Sequence, residues 1–97
     1  MELTNIRGRI DALDNQMLEL FCERMRLAAE AGAAKYRLGL PLSDDVRERE
    51  IIAWAARVAG KDLAPYTRQF CEALFSIAKE YQVYHGAAYD QAKKSGK

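Results

Sequence analysis

The sequence predicts an all-α protein of three helices in a single domain. Across its 97 residues the helix-favouring Ala, Leu, Glu, Arg and Lys dominate. No stretch alternates β-branched and polar residues as a half-buried strand does. Only two segments before the tail combine glycine with proline, within residues 39–44 and 60–65, and they predict the turns that separate the helices. A chain of this length can bury one small hydrophobic core, so we expect one domain over residues 1–97.

The first predicted helix runs from about Thr4 to Leu38 and has the clearest periodicity. Residues spaced alternately by three and four form a stripe with one arginine in it: Leu3, Ile6, Ile10, Leu13, Met17, Leu20, Arg24, Leu27, Ala31, Ala34 and Leu38. At ~1.5 Å per residue this helix is about 50 Å long, whereas a compact domain of this size has a radius of gyration near 13 Å. The helix therefore extends beyond its own domain, and we expect a homodimer in which the long helices pack together. The alternative is a monomer whose helix bends or breaks, for instance at Gly32.

The second helix is predicted from Asp44 to Ala59, and the third from Ala64 to about Ala92. The third helix carries an apolar stripe of Phe70, Leu74, Ile77, Tyr81 and Tyr84, flanked by Cys71, Phe75, Ala78 and Gln82. The Gly- and Lys-rich residues 93–97 are expected to fray.

The composition argues against several classes of function. Fifteen Lys and Arg against fourteen Asp and Glu give a net charge of +1, which disfavours nucleic-acid binding through a basic face. Cys22 and Cys71, with the single histidine His85, form neither a disulfide framework nor a zinc site, and we expect reduced thiols. Residues 1–6 do not resemble a signal peptide, and no run approaches the ~18 apolar residues of a membrane span. We therefore expect a cytoplasmic protein without a bound metal, nucleic acid or membrane.

Charged residues at core-facing positions indicate a binding pocket. Arg24 and Lys35 are eleven residues apart and so lie on nearly the same side of the first helix. Burying two cations without anions is costly, which indicates an anionic ligand or internal carboxylates. In the second helix Asp44, Arg47 and Glu48 share the face that continues into the core. That pattern alone is typical of a capped, solvated helix start, but together with the two cations it suggests one charged pocket.

Four segments of the sequence resemble the all-helical chorismate mutases, and together they cover nearly the whole chain. They are I-R-G-R-I-D-A-L-D (6–14), E-R (23–24), A-G-A-A-K (31–35) and G-L-P-L-S-D-D-V-R-E-R-E (39–50). The most specific part lies between Lys35 and Glu48, where a lysine, a Gly-x-Pro turn and a D-x-x-R-E block keep the family's spacing. The resemblance implies an intertwined homodimer with active sites built from both subunits. It also implies an isomerase that converts chorismate to prephenate in phenylalanine and tyrosine biosynthesis, without a cofactor.

The resemblance also implies which residues form the site. The family's substrate-binding cations match Arg7, Arg24, Lys35 and Arg47, its hydroxyl-contacting acid matches Glu48 with Asp44 beside it, and its ether-oxygen glutamine matches Gln82. We expect Arg24, Lys35, Glu48 and Gln82 to act in catalysis. Arg7 precedes Arg24 by 17 residues, which is about 25 Å along the helix axis and on another face. Both arginines cannot reach one small molecule from one helix, so Arg7 would come from the partner chain.

The sequence departs from the family's pattern at one position, and the match at another depends on the alignment. Ala78 stands where the family often has a serine, so one hydroxyl contact to the substrate is missing or supplied elsewhere. A different alignment of the second turn would put Tyr81 at the glutamine position. We prefer Gln82, because Ala78 and Phe75 then fall on its face of the helix.

Two other functions share these features. An isochorismate–pyruvate lyase uses the same scaffold and a similar cationic pocket, although the intact D-x-x-R-E block, with Glu48 placed to meet the hydroxyl of chorismate, favours the mutase. A helical regulatory or dimerisation module could instead associate with another aromatic-pathway enzyme and have little activity of its own. Such a module has no need for inward-facing cations, so the mutase is the preferred interpretation.

Overall fold

A computed structural model describes residues 1–95, with side chains described as far as His85. The chain folds into three α-helices joined by short turns: α1 (Glu2–Leu38), α2 (Asp45–Ala59) and α3 (Ala64–Ser95). Residues 1–95 contain no strand, and the predicted all-α, three-helix fold is confirmed. Helix α3 continues to Ser95, beyond its predicted end near Ala92. The prediction that 93–97 fray falls partly on residues 96 and 97, which lie outside the described residues.

Helix α1 is one uninterrupted helix that passes through Gly32, so the predicted long helix forms and the alternative break does not. It ends at Gly39, whose φ of 70° lies in the left-handed region that glycine adopts without a steric penalty. The Gly39 N–H donates to the Tyr36 carbonyl at 3.2 Å, and the Leu40 N–H donates to the Lys35 carbonyl at 2.8 Å. This Schellman pattern satisfies two of the last four carbonyls of α1 and turns the chain toward α2.

Local sequence also sets the ends of the other two helices. The Asp44 carboxylate caps α2 by accepting a hydrogen bond from the Arg47 backbone N–H at 3.1 Å. Helix α2 ends at Gly60, whose N–H donates to the Ala56 carbonyl at 3.0 Å. Pro65 is the second residue of α3, where a backbone N–H has no partner within the helix. Two short turns therefore return the chain so that α3 lies alongside both α1 and α2.

Helix α3 packs against both α1 and α2. The buried apolar side chains are few and mostly small: Ala28 and Ala33 on α1, with Cys71, Phe75 and Ala78 on α3. Gly32 lets α1 and α3 approach closely, because a Cβ there would lie only 3.0 Å from the Cβ of Gln82. The core is thus a narrow contact between two helices, and it lies beside the predicted site residues.

The first half of α1 is left uncovered. Every residue from 1 to 20 is exposed, and the apolar stripe residues among them keep between 42% and 64% of their accessible surface. The molecule measures 60 × 29 × 15 Å with a radius of gyration of 17.3 Å, against about 12.5 Å for a compact chain of this length. Its accessible surface of 7964 Å² exceeds the roughly 5,600 Å² of a typical monomer of this mass. The overhang predicted from the sequence is therefore present.

A helix must be about 20 residues long and predominantly apolar to span a membrane. Within the described residues, none of the three helices has a segment that is both long and apolar enough to cross a bilayer.

Candidate active site

A cavity of about 270 Å³ lies where the second half of α1, the start of α2 and the middle of α3 meet. Each helix presents to it residues spaced by three or four, which share one helical face. The lining residues are Arg24, Leu27, Ala28, Ala31 and Lys35 from α1, Leu42 and Asp44 before α2, Arg47, Glu48 and Ile51 from α2, and Phe75, Ala78, Lys79 and Gln82 from α3.

The structure brings seven of the eight predicted site residues to this cavity. They are Arg24, Lys35, Asp44, Arg47, Glu48, Ala78 and Gln82. Arg7 is the exception: it lies on the exposed first half of α1 and does not line the cavity. The long uninterrupted helix keeps Arg7 away from the site of its own chain, as its distance from Arg24 along the sequence requires.

Two of the cations are held in place by neutral partners. The Lys35 Nζ donates to the Leu42 carbonyl at 3.1 Å, which ties the ammonium to the turn after α1. The Arg24 guanidinium carbon lies 5.9 Å from the centroid of the Phe75 ring, in a cation–π contact that orients the side chain. Among the described residues, neither these two cations nor Arg47 forms an ion pair. Their three positive charges therefore remain available to an anion.

The two carboxylates of the cavity differ in their partners. Asp44 is the N-cap of α2, the role expected of an acid at a helix start. Glu48 instead reaches across to α3, where the Lys79 Nζ lies 3.1 Å from its Oε2 and 3.2 Å from its Oε1. Glu48 is therefore held at the cavity wall by a residue of another helix.

Lys79 is a site residue that the sequence analysis missed. It follows Phe75 by four residues and precedes Gln82 by three, so it lies on the same face of α3. That spacing was the available signal. It was weak, because a lone lysine on a helix most often points into solvent.

The Gln82 amide is the most buried polar group of the cavity. The residue keeps 8% of its accessible surface, and its Oε1 has no hydrogen-bond partner among the described residues. A buried carbonyl oxygen without a donor is costly, and a bound molecule that donates a hydrogen bond to it would relieve that cost. Tyr81 does not line the cavity, and its ring centroid lies 4.0 Å from that of His85. The geometry therefore favours the alignment that places Gln82, and not Tyr81, at the site.

Ala78 contributes only a methyl group to the wall between Phe75 and Gln82, and it is buried. The hydroxyl that the family often has at this position is thus absent, and only apolar surface stands there. The charged groups lie around it on the other two helices and at Lys79.

Fold and site together define a class of protein: an all-helical chain with a small cationic cavity suited to a compact polyanion. Four cations face two carboxylates around the cavity, and one of those carboxylates is already neutralised by Lys79. The excess positive charge sits beside a buried amide, in a setting where attraction to an anion is less screened than in open water.

Comparison with known proteins identifies the family within that class. The family described as Chorismate mutase type II matches residues 6–83, and the chain belongs to this family. The resemblance recognised in the sequence is thereby confirmed. No solved structure matches the chain significantly.

Several curated relatives share 42% identity with this chain over part of its length. A T-protein of Enterobacter agglomerans matches over 52 residues, which are 54% of this chain and 14% of the relative. A chorismate mutase of Methanocaldococcus jannaschii matches over 50 residues, which are 52% of this chain and 50% of the relative. A bifunctional chorismate mutase/prephenate dehydratase of Aquifex aeolicus matches over 50 residues, which are 52% of this chain and 13% of the relative. The matched part thus spans half or less of each of these relatives.

Proposed function

We propose that this protein is a chorismate mutase, an isomerase that converts chorismate to prephenate by a concerted rearrangement. The observation that carries the proposal is the convergence on one cavity of a fixed carboxylate, a buried amide and three cations that form no ion pair with any described side chain. Membership of the family supports it, as does the printed name of the Methanocaldococcus jannaschii relative.

The first task of the site is to hold a flexible substrate in its reactive shape. Chorismate carries two carboxylates and an enolpyruvyl ether, and it reacts only when its two bonding carbons come together in a chair-like conformer. Arg24 and Arg47 line the cavity from different helices and would clamp the carboxylates. The planar guanidinium fork fixes orientation as well as charge, and such positioning lowers the barrier by removing unproductive conformers.

The second task is to stabilise the charge that develops as the reaction proceeds. The ether carbon–oxygen bond breaks while the new carbon–carbon bond forms, and negative charge accumulates on the ether oxygen. The Lys35 ammonium and the Gln82 amide N–H would donate to that oxygen, more strongly in the transition state than in the ground state. The Leu42 carbonyl holds the ammonium. Gly32 packs against the Cβ and Cγ of Gln82, so the contact between α1 and α3 places the side chain that carries the second donor.

Glu48 has a separate role in this proposal, as the acceptor for the ring hydroxyl of chorismate. Its carboxylate lies at the cavity wall and is held by Lys79. Ala78 offers no hydroxyl to the substrate, so the polar contacts come from the cations, Glu48 and Gln82. No protein nucleophile takes part in a concerted rearrangement, which suits a wall built from clamping and donating groups.

We further propose that the active protein is a homodimer, in which Arg7 of the partner subunit completes each site. The uncovered apolar stripe on the first half of α1 supports this arrangement. The accessible surface exceeds that of a typical monomer by roughly 2,300 Å² per chain, and extensive homodimer interfaces bury surface on that scale. A partner helix packed on the stripe would bring its own Arg7 toward the cavity.

The proposed activity can be tested by identifying the product that the protein forms from each of two substrates. Purified protein is incubated separately with chorismate and with isochorismate, and the products are identified. We expect prephenate from chorismate. Release of pyruvate from isochorismate alone would assign the lyase, and inactivity toward both would favour a regulatory module associated with another aromatic-pathway enzyme. Cell fractionation would test the predicted cytoplasmic location.

Mixing two inactive variants tests the shared site. Arg7→Ala and Arg24→Ala should each be nearly inactive as pure homodimers. A mixed dimer has one Arg7→Ala chain and one Arg24→Ala chain. If each site takes Arg24 from one chain and Arg7 from the other, one of the two sites contains both substitutions and the other site contains neither. Subunit exchange should therefore restore activity, approaching half of the wild-type value per mixed dimer. If exchange is confirmed by mass and no activity returns, the two residues do not meet across the interface.

A further inference from the structure

We infer that Lys79 is a positioning residue, which holds the Glu48 carboxylate where it accepts a hydrogen bond from the substrate's ring hydroxyl. Lys79 thereby sets the preference for a substrate that carries this hydroxyl. The inference rests on the proposed function and goes beyond it, because nothing in that reaction assigns a role to Lys79.

The geometry of the pair is the first support. The Lys79 Nζ lies within 3.2 Å of both Glu48 oxygens, and the contact joins α3 to α2 across the cavity wall. The two side chains keep 35% and 24% of their accessible surface, so solvent screens the pair less than it screens a fully exposed one. One ammonium on both oxygens leaves the carboxylate little freedom to rotate.

The charges around the cavity give the second support. Without Lys79 the Glu48 carboxylate would be a bare anion beside a dianionic substrate, and it would repel that substrate. It would also be free to turn toward Arg47 or another cation of the cavity. With Lys79 in place, the charge of Glu48 is neutralised, and among the side chains described as far as His85 neither Arg24, Lys35 nor Arg47 forms an ion pair. Lys79 therefore both orients the hydroxyl acceptor and preserves the cations that clamp the carboxylates.

The test compares two substrates that differ at one group: chorismate and the analogue in which hydrogen replaces the ring hydroxyl. The ratio of their kcat/KM values measures the preference for the hydroxyl, and it does not depend on the fraction of folded protein because both substrates meet the same sample. Lys79→Met removes the charge and keeps the length of the side chain. We expect it to lower the preference about tenfold, the scale of a hydrogen bond to a charged group, and to raise the KM for chorismate.

Two further variants serve as controls. Lys79→Arg keeps a cation at the same position and should retain most of the preference. Arg68→Met breaks the Arg68–Glu72 pair, an exposed ion pair on the same helix with a separation of 2.8 Å, and should leave both kcat/KM values unchanged.

The outcomes separate this inference from the proposed function. If wild-type protein is active on chorismate and Lys79→Met keeps the wild-type preference, Lys79 does not position Glu48 and the proposed function stands. If Lys79→Arg loses as much preference as Lys79→Met, the requirement is for the shape of lysine, and the charge-based role is wrong. If wild-type protein turns over neither substrate, the proposed function fails and this inference fails with it.

Discussion

Replacing Gly32 by alanine is expected to slow the turnover of chorismate about tenfold to a hundredfold, because the added methyl group would displace Gln82. Gly32 is buried in the contact between α1 and α3, with the Gln82 side chain directly against it. Gln82 is the proposed donor to the ether oxygen, so a small shift of its amide acts on the chemical step.

The energetic cost of the added methyl group follows from the distances around it. An alanine Cβ at position 32 would lie 3.0 Å from the Gln82 Cβ and 3.1 Å from its Cγ, whereas non-bonded carbons prefer about 3.5–4.0 Å. The Gln82 Cβ is attached to the backbone of α3, so relief requires the helices to separate or the amide to tilt. Overpacking of this kind costs about 1–3 kcal/mol, and replacing a glycine inside a helix returns up to about 1 kcal/mol. We expect a net loss of about 1 kcal/mol in the free energy of unfolding.

The assay measures kcat for chorismate together with urea unfolding. Gly8→Ala is the matched control, because within the chain no heavy atom lies within 4 Å of a Cβ at that position and Gly8 lies on the face of α1 opposite the apolar stripe, so it should keep kcat and unfold no more easily. The double variant Gly32→Ala/Gln82→Ala should be no slower than Gln82→Ala alone if Gly32 acts through Gln82. An unchanged kcat in Gly32→Ala, or additive losses in the double variant, would refute the reasoning.

Three further predictions concern the proposed donors to the ether oxygen. Lys35→Ala should lower kcat by roughly a few hundredfold with helical content and mass unchanged, as followed by product formation, circular dichroism and light scattering; near-normal turnover would remove Lys35 from the mechanism. Gln82→Ala should cost more activity than Tyr81→Ala, and the opposite order in the same assay would restore the alternative alignment. Gln82→Glu should be active mainly at low pH, where a protonated carboxyl can donate to the oxygen, and a pH–rate profile without that rise would argue against a donor role.

The helices could be predicted from the sequence because their signals are local. The Gly39 and Gly60 turns, the Asp44 cap and the uninterrupted stripe on α1 each act over a few residues, and each lies where the structure has it. The long reach of α1 follows from the same stripe, since no break intervenes at Gly32.

The site could be predicted only in part, because cavities depend on how helices rotate against one another. The inward positions of Arg24 and Lys35 followed from their spacing within one helix. The pairing of Glu48 with Lys79 joins residues 31 positions apart, and it exists only because α2 and α3 present those faces to each other. The contact of Gly32 with Gln82 is of the same kind. A glycine within a helical pattern predicts a bend or break in the helix as readily as a place where a second helix packs closely. Only the way α1 and α3 cross decides between these two interpretations.

The uncovered surface and the absence of Arg7 from the cavity have one explanation in the proposed dimer. Helix α1 is too long for its own chain to cover, and its exposed half carries both the apolar stripe and the one predicted cation that does not reach the cavity. A second α1 packed on the stripe would bury the excess apolar surface, which favours association. The same packing would bring a fifth cation toward a cavity that already holds four. The apolar residues that stabilise the pair would thereby also complete the site, so assembly and substrate binding would depend on the same helix.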